Sequence, residues 1–432
     1  MRENIVLQFG KYANYLGTHF WNAQETYFTH DIKKSLIDHH VMYRLDSVDG
    51  KDVYTPRALI YDLKNGFGNL GKYIDFYKLQ NENIEERNEL GKEIYRTPEY
   101  PIHPFQLSLR NSKSSAPLSS ETITSWSDYN MTKYHPRSLN QLYQYDLYDE
   151  TFSPFYTFNQ GKDLFRDISK ENDLFESHLR PFLEECDNIQ GLTMFSEINN
   201  GWGGFVSSYL DSIRDEMPKL CIWTFSIDTE INNDIEALLS IHEATSMFSV
   251  FNKNPDYNYE KFNSKSIWHT SAFYFSVIES LLIPCHSTIN FMSMNDITSL
   301  INLYSYKKIS YLKVNLKNSI SGWLGLKLEN PVESSLEIFR NSKNQKATSE
   351  IKSSSVLTTY HHSTILPSPK SFPNIFNSSN PSFQVLTSSL DTKFFLSLKK
   401  KQYICKNKYT IYDKDVINDL EELIEKYAEK SI

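Results

Sequence analysis

The sequence predicts an α/β fold, and three observations carry that expectation. Two short apolar runs near the start, NIVLQF at 4–9 and RALIYDL at 57–63, each close on a glycine or asparagine turn. Two later runs, LTMFSEI and LCIWTFSI, bracket a helical stretch, VSSYLDSIRDEMP. Strand-length apolar runs that alternate with helices argue for a sheet covered by helices.

Taken in order, Asn4 to Phe9 reads as a strand ending at Gly10, and Tyr12 to Trp21 carries bulky groups at helical spacing. After RALIYDL comes the turn NGFGN. From Gly71 to Ser125 the chain is irregular: a charged helix-like run, NENIEERNELGKEIY, then prolines at 98, 101 and 104, then NSKSSAPLSSETITS, expected as a flexible linker over 111–125. Order is expected to resume at Trp126 and KYHPRSLNQLYQY, and DLFESHLRPFLEECDNIQG is expected as a helix before LTMFSEI. Strand-like alternation between Ile309 and Phe339 predicts a second sheet, whereas the Ser-, Asn- and Pro-rich stretch 341–392 predicts loop. In the tail, Val416, Leu420, Leu423, Ile424 and Tyr427 fall on one face of an amphipathic helix. The divisions expected are 1–110, a linker at 111–125, 126–300, and a C-terminal region 301–432.

A chain of 432 residues buries a large core, with room for two or three domains of roughly 150 residues. Its four cysteines, Cys186, Cys221, Cys285 and Cys405, form no CxxC pair, so free thiols in a reduced compartment are expected. The net charge of −8 provides no positive field for nucleic acid. No apolar stretch reaches about 20 residues, and the richest window, 271–284, contains Glu279. The opening residues lack both a signal-peptide pattern and the Arg-rich helix of a mitochondrial transit peptide. The doublets His39–His40 and His361–His362, and the neighbours Cys285 and His286, do not have the spacing of a metal site or a nucleophile–base pair, and no metal is expected. Lys399, Lys400 and Lys401 form the one compact basic run.

The opening NIVLQFGKYANYLGTHFW, with Gly10, Asn14, Gly17, Phe20 and Trp21, resembles the first strand, nucleotide loop and helix of tubulin. PRALIYDLKNG is similar to tubulin's second strand and loop, EECDNIQGLTMF with the glycine-rich turn after it is similar to the phosphate-loop unit, and ALLSIHEA resembles the start of the long central helix. Together with the insertion after the second strand, WSDYN, HPRSL and EECDNIQG, these blocks resemble the Misato family over residues 1–70 and 126–300. The resemblance implies a tubulin-like, N-terminal Rossmann-like nucleotide-binding-type domain with degraded loops, then a second α+β domain and a C-terminal helix.

A phosphate loop needs glycines so that backbone N–H groups can approach phosphate oxygens. The tubulin signature corresponds here to Asn199, Asn200, Gly201, Trp202, Gly203, Gly204 and Phe205, with Trp202 in place of a small hydroxyl residue and Phe205 in place of glycine. Lys11 and Tyr12 replace a polar pair that contacts nucleotide, and Lys64 stands where one tubulin type has a glutamate supporting Mg²⁺, an ion that lysine cannot ligate. Glu236 falls where an asparagine reads guanine, and Ser299 where a glutamate promotes hydrolysis. Two readings are open: Lys11 and Lys64 replace lost phosphate contacts, or the aromatics fill an abandoned pocket. The second is expected, with no GTP cofactor and no catalysis. The resemblance to the Misato family implies a role in mitochondrial organisation, partitioning and mitochondrial DNA inheritance. It also implies a cytoplasmic or outer mitochondrial surface location and protein partners such as tubulin or the cytosolic chaperonin. A GTP-binding homologue acting in microtubule assembly or tubulin folding is the alternative.

Overall fold

The computed structural model describes residues 2–28, 35–48, 51–70, 101–111, 116–149, 154–228, 235–252, 255, 260–302, 308–316, 319–324, 334–340, 347–352, 355–376, 383–388 and 414–428. The helix-like run at 81–95 and the lysines at 399–401 lie outside them. The first half contains β1 (Glu3–Phe9), α1 (Lys11–Thr26), a ribbon of β2 (Tyr43–Val48) and β3 (Lys51–Pro56), β4 (Ala58–Lys64), α2 (Pro104–Arg110) and β5 (Leu139–Asp146). Then come α3 (Phe158–Glu171), α4 (Arg180–Glu184), β6 (Ile189–Glu197), α5 (Gly201–Glu216), β7 (Ile222–Asp228), α6 (Ile235–Ala244), β8 (Met247–Asn252), α7 (Ile267–His286) and α8 (Met294–Ile301).

Six of these strands form one sheet in the order β5-β4-β1-β6-β7-β8, and every neighbouring pair is parallel. The chain winds from β1 outward through β4 to β5, then returns to the other side of β1 and winds out through β6, β7 and β8. Winding therefore reverses between β1 and β6, and the crevice beyond the carboxyl ends of strands at such a reversal is where doubly wound sheets hold ligands. Register sets Phe9 beside both Tyr61 and Ser196, so the turns after β1, β4 and β6 converge on that crevice.

Side-chain alternation along β1 divides the core. Val6 joins a cluster with Phe20 and Trp21 of α1 and Ile278, Leu281 and Leu282 of α7. Ile5, Leu7 and Phe9 face the other way, toward Phe205, Tyr209 and Leu210 of α5 and Leu238 and Ile241 of α6. Helix starts follow local chemistry: Thr157 and Gln160 form a capping box for α3, and the Asn200 side chain accepts from Trp202 N at the start of α5.

A second sheet of six strands runs β10 (Ser319–Leu324), β9 (Tyr311–Leu316), β14 (Phe383–Ser388), β11 (Ser334–Arg340), β13 (Ser355–His362), β12 (Ala347–Lys352). It is antiparallel except where β11 meets β13. Leu312, Leu336, Ile338 and Tyr360 bring it into the α1–α7 cluster, so α7 is packed between the two sheets. Strands were expected between Ile309 and Phe339, and β9, β10 and β11 lie there. The loop expected over 341–392 is corrected: β12, β13 and β14 fall inside it. SVLTTYHH and FQVLTS carry β-branched and aromatic residues, Val356, Thr358, Thr359 and Tyr360 in one and Phe383, Val385 and Thr387 in the other, whose strand propensity holds despite the polar composition.

Two further expectations are corrected. Within the expected linker 111–125, Leu118 and Ile123 pack on the core and Asp128 accepts from Thr124 N and Ser125 N, so its described residues 116–125 are a packed connection. The helix expected through Gly191 ends near Glu185, because the backbone N–H of Asn188 donates to the Glu3 carboxylate and Ile189 starts β6 beside β1. The terminal helix forms as α9 (Lys414–Ala428). Leu420, Leu423, Ile424 and Tyr427 are buried on the α5–α6 side, and the Tyr427 hydroxyl accepts from Ile309 N and bonds His242 Nε2.

Candidate functional site

Gly10 ends β1 at φ 91°, a left-handed backbone that glycine adopts without strain, and N-caps α1 with no side chain. Its N–H donates to Tyr61 O and its carbonyl accepts from Asn14 N. The space beside this turn is occupied by protein. A Cβ placed on Gly10 would lie 2.6 Å from the Trp202 indole nitrogen and 2.8 Å from Glu197 Oε1. Trp202 is 2% exposed and meets Phe155 and Phe205 edge-on at 5.5 and 5.6 Å between ring centres. Phe205 in turn packs against Phe9, Tyr61 and Phe165.

The first amides of the turn Gly201–Phe205 have protein partners. Gly201 N donates to Phe155 O, Trp202 N to Asn200 Oδ1 and Gly203 N to Asn200 O. The glycines serve helix packing: a Cβ on Gly201 would strike the Phe155 ring, one on Gly203 would meet Ile198 O and Ala237 Cβ, and one on Gly204 would sit 1.8 Å from Phe158 O. These three residues let α5 approach α3, the strand end and α6. A phosphate needs the same glycines to stay uncovered.

Two buried carboxylates, absent from the sequence-based site, lie at the strand ends. Glu197 closes β6; its Oε1 accepts from Tyr12 N at 2.8 Å and its Oε2 from Asn200 Nδ2 at 2.7 Å. Burial pushes its carboxyl up to about 7, against those two bonds and the pull of Lys11. Asp62, near the end of β4, accepts from Asn14 Nδ2 at 2.8 Å, Trp126 Nε1 at 3.1 Å and Leu63 N, and burial pushes it up to about 6. Both could have been noticed as lone charges at the carboxyl ends of apolar strands, in LTMFSEI and ALIYDL.

The fold thus brings Gly10, Lys11, Tyr12 and Asn14 to the turn Asn199–Phe205, and Lys64 ends the adjacent strand β4. Glu236 stands next to Ala237, which packs on Gly203, but lines a neighbouring groove. The segment ALLSIHEA is not the start of a long helix: α6 stops at Ala244 and the chain enters β8 at Met247, while the long buried helix is α7. Glu236 sits in the first turn of α6 and lines a groove of about 780 Å³ with Phe158 and Lys162 of α3 and Asp419 and Glu422 of α9. Ser299 is exposed on α8, its hydroxyl donating to Asn295 O. Among the described residues no cluster of His, Cys, Asp and Glu could hold a metal ion, and no helix is long and apolar enough to cross a membrane.

The carboxylates make stability depend on pH. A carboxyl that holds its proton to higher pH when folded contributes stability fully below its unfolded pKa and loses it as pH rises through the folded value, here about 6 and about 7. His19, buried and lowered from 6.5 to about 3, acts oppositely but only below pH 6.5. Between pH 6.5 and 8 the wild type should therefore lose on the order of 1 kcal/mol through Glu197. Urea unfolding across that window should show the decline in the wild type and a flatter profile in Glu197→Gln; parallel profiles would refute the assignment.

The doubly wound sheet, the converging turns and the long helix packed against a second sheet define a tubulin-like protein, and its turn Asn199–Phe205 is filled with side chains. A model of the Misato Segment II tubulin-like domain matches residues 2–111, and a Tubulin domain model matches residues 115–287. The chain is similar to Protein DML1 of Gibberella zeae, 38% identical over 306 residues that make up 67% of this chain and 61% of that protein. It is 40% identical to Protein dml1 of Aspergillus clavatus over 66% of this chain and 60% of that one, and 34% identical to Protein dml-1 of Neurospora crassa over 66% and 56%. The chain belongs to the Misato family of tubulin-like proteins. The matched part spans about three fifths of the length of these relatives.

Proposed function

We propose that this is a non-catalytic tubulin-like protein that acts in mitochondrial organisation and partitioning and in the inheritance of mitochondrial DNA. In this reading it works at the outer face of mitochondria and in the cytoplasm, through protein partners such as tubulin or the cytosolic chaperonin. The observation that carries the non-catalytic half is the Trp202 indole lying against Gly10, where a nucleotide phosphate would need open space. The bonded amides of Gly201, Trp202 and Gly203 support it, since a phosphate would have to displace a partner from each. The mitochondrial half rests on family membership.

Equilibrium binding of labelled GTP with Mg²⁺ should show no saturable low-micromolar site in the purified protein; such a site would favour the GTP-binding alternative. Sedimentation at high concentration should give equal pellets with and without GTP, and nucleotide-dependent pelleting would contradict the proposal. In cells, depletion should disturb mitochondrial distribution and lower mitochondrial DNA retention. Normal retention after complete depletion would overturn the inheritance role.

A further inference from the structure

We propose that the Glu197 carboxyl is a built-in acceptor that takes, at the N-terminus of α1, the place a bound anion would otherwise hold. The inference rests on the reading of a closed nucleotide site and names what closes its charge-bearing end. A helix start leaves unpaired N–H groups and a partial positive charge, which a ligand or a capping side chain must meet. Gly10 provides no cap. Glu197 provides it from β6, 185 residues further along the chain, by accepting from Tyr12 N, the second amide of α1.

The surroundings fit a carboxylate held as a ligand would be. Oε2 is fixed by Asn200, whose Oδ1 in turn caps α5, so the charge of one side chain links the starts of two helices. The Trp202 ring and Gly10 enclose it, and the residue is 5% exposed. The charged groups facing it are Lys11, which favours its ionised form, and Asp62, which opposes it. A freely exchanging anion is replaced by a covalently attached carboxyl that ionises as pH rises through about 7, so the start of α1 keeps an acceptor without nucleotide.

Chemical rescue tests this. Glu197→Ala removes a CH₂–COO⁻ fragment, which acetate reproduces in size and charge. Melting temperatures are compared for wild type, Glu197→Ala and Glu197→Gln in sodium acetate and in sodium chloride at equal ionic strength. Glu197→Ala should melt lower than wild type in chloride and recover by roughly 3 °C or more in acetate, while wild type and Glu197→Gln, whose side chains still fill the place, shift by about 1 °C or less. A Glu197→Ala shift no larger than that of wild type overturns the proposal. Should the alanine variant be insoluble in chloride, its soluble yield in acetate against chloride is the reading, and equal yields overturn it. Labelled GTP binding to wild type would sink the closed-site reading but leave the rescue result standing, so the two failures are distinguishable.

Discussion

Trp202→Ala should cost about 3 to 5 kcal/mol of stability, measured by urea denaturation of the variant against wild type. The ring is 2% exposed, contacts Phe9, Phe155 and Phe205, and lies against Gly10, so its removal leaves a cavity whose walls belong to three elements. Those walls cannot easily collapse. Phe9 is held in β1 between two strands, and Phe205 is held in α5 among Phe9, Tyr61 and Phe165. Trp202→Phe, which keeps an aromatic ring, should cost less than Trp202→Ala. Emptying the pocket should not confer GTP binding, since the amides of Gly201 and Gly203 keep their backbone partners. A Trp202→Ala midpoint within error of wild type would mean that the ring is not core.

Much of this architecture was legible in the sequence because the central strands of the parallel sheet, β1 and β6, are buried on both faces and read as mostly apolar runs, as in NIVLQF and LTMF. The structure buries both aromatics that stand inside the glycine pattern of this turn, Trp202 and Phe205. The second sheet was only half visible. β12 and β13 carry Ser, Thr, Lys and His between their apolar residues, and composition outweighed alternation.

What the sequence could not provide were partners brought together over long separations. Phe155 reaches the turn from the segment before α3, and Glu197 meets α1 across 185 positions; neither pairing leaves a local pattern. The length of α6 was misjudged because ALLSIHEA resembles the start of a long helix, and a resemblance over eight residues does not show where the helix ends. That end is set by tertiary bonding: Ser246 N donates to Ile222 O and starts the next strand beside β7.

Gly204→Ala should destabilise the fold by about 3 kcal/mol or more, although alanine is the better helix former by about 1 kcal/mol. The sign of that outcome separates two uses of the same glycine. If Gly204 were kept for phosphate approach, its Cβ side would be open, and alanine would leave stability unchanged or raised. Here the new methyl would stand 1.8 Å from Phe158 O, a backbone atom at the start of α3 that no rotamer change can move. Gly161 faces the same junction from the α3 side, where a Cβ would lie 1.7 Å from Gly201 O, so Gly161→Ala should cost a similar amount. Relief of either clash requires α3 and α5 to separate, and one separation relieves both. The double variant should therefore lose clearly less than the sum of the single losses. Urea unfolding followed by far-UV circular dichroism measures all three, and a Gly204→Ala variant as stable as wild type would show that α5 has room there after all.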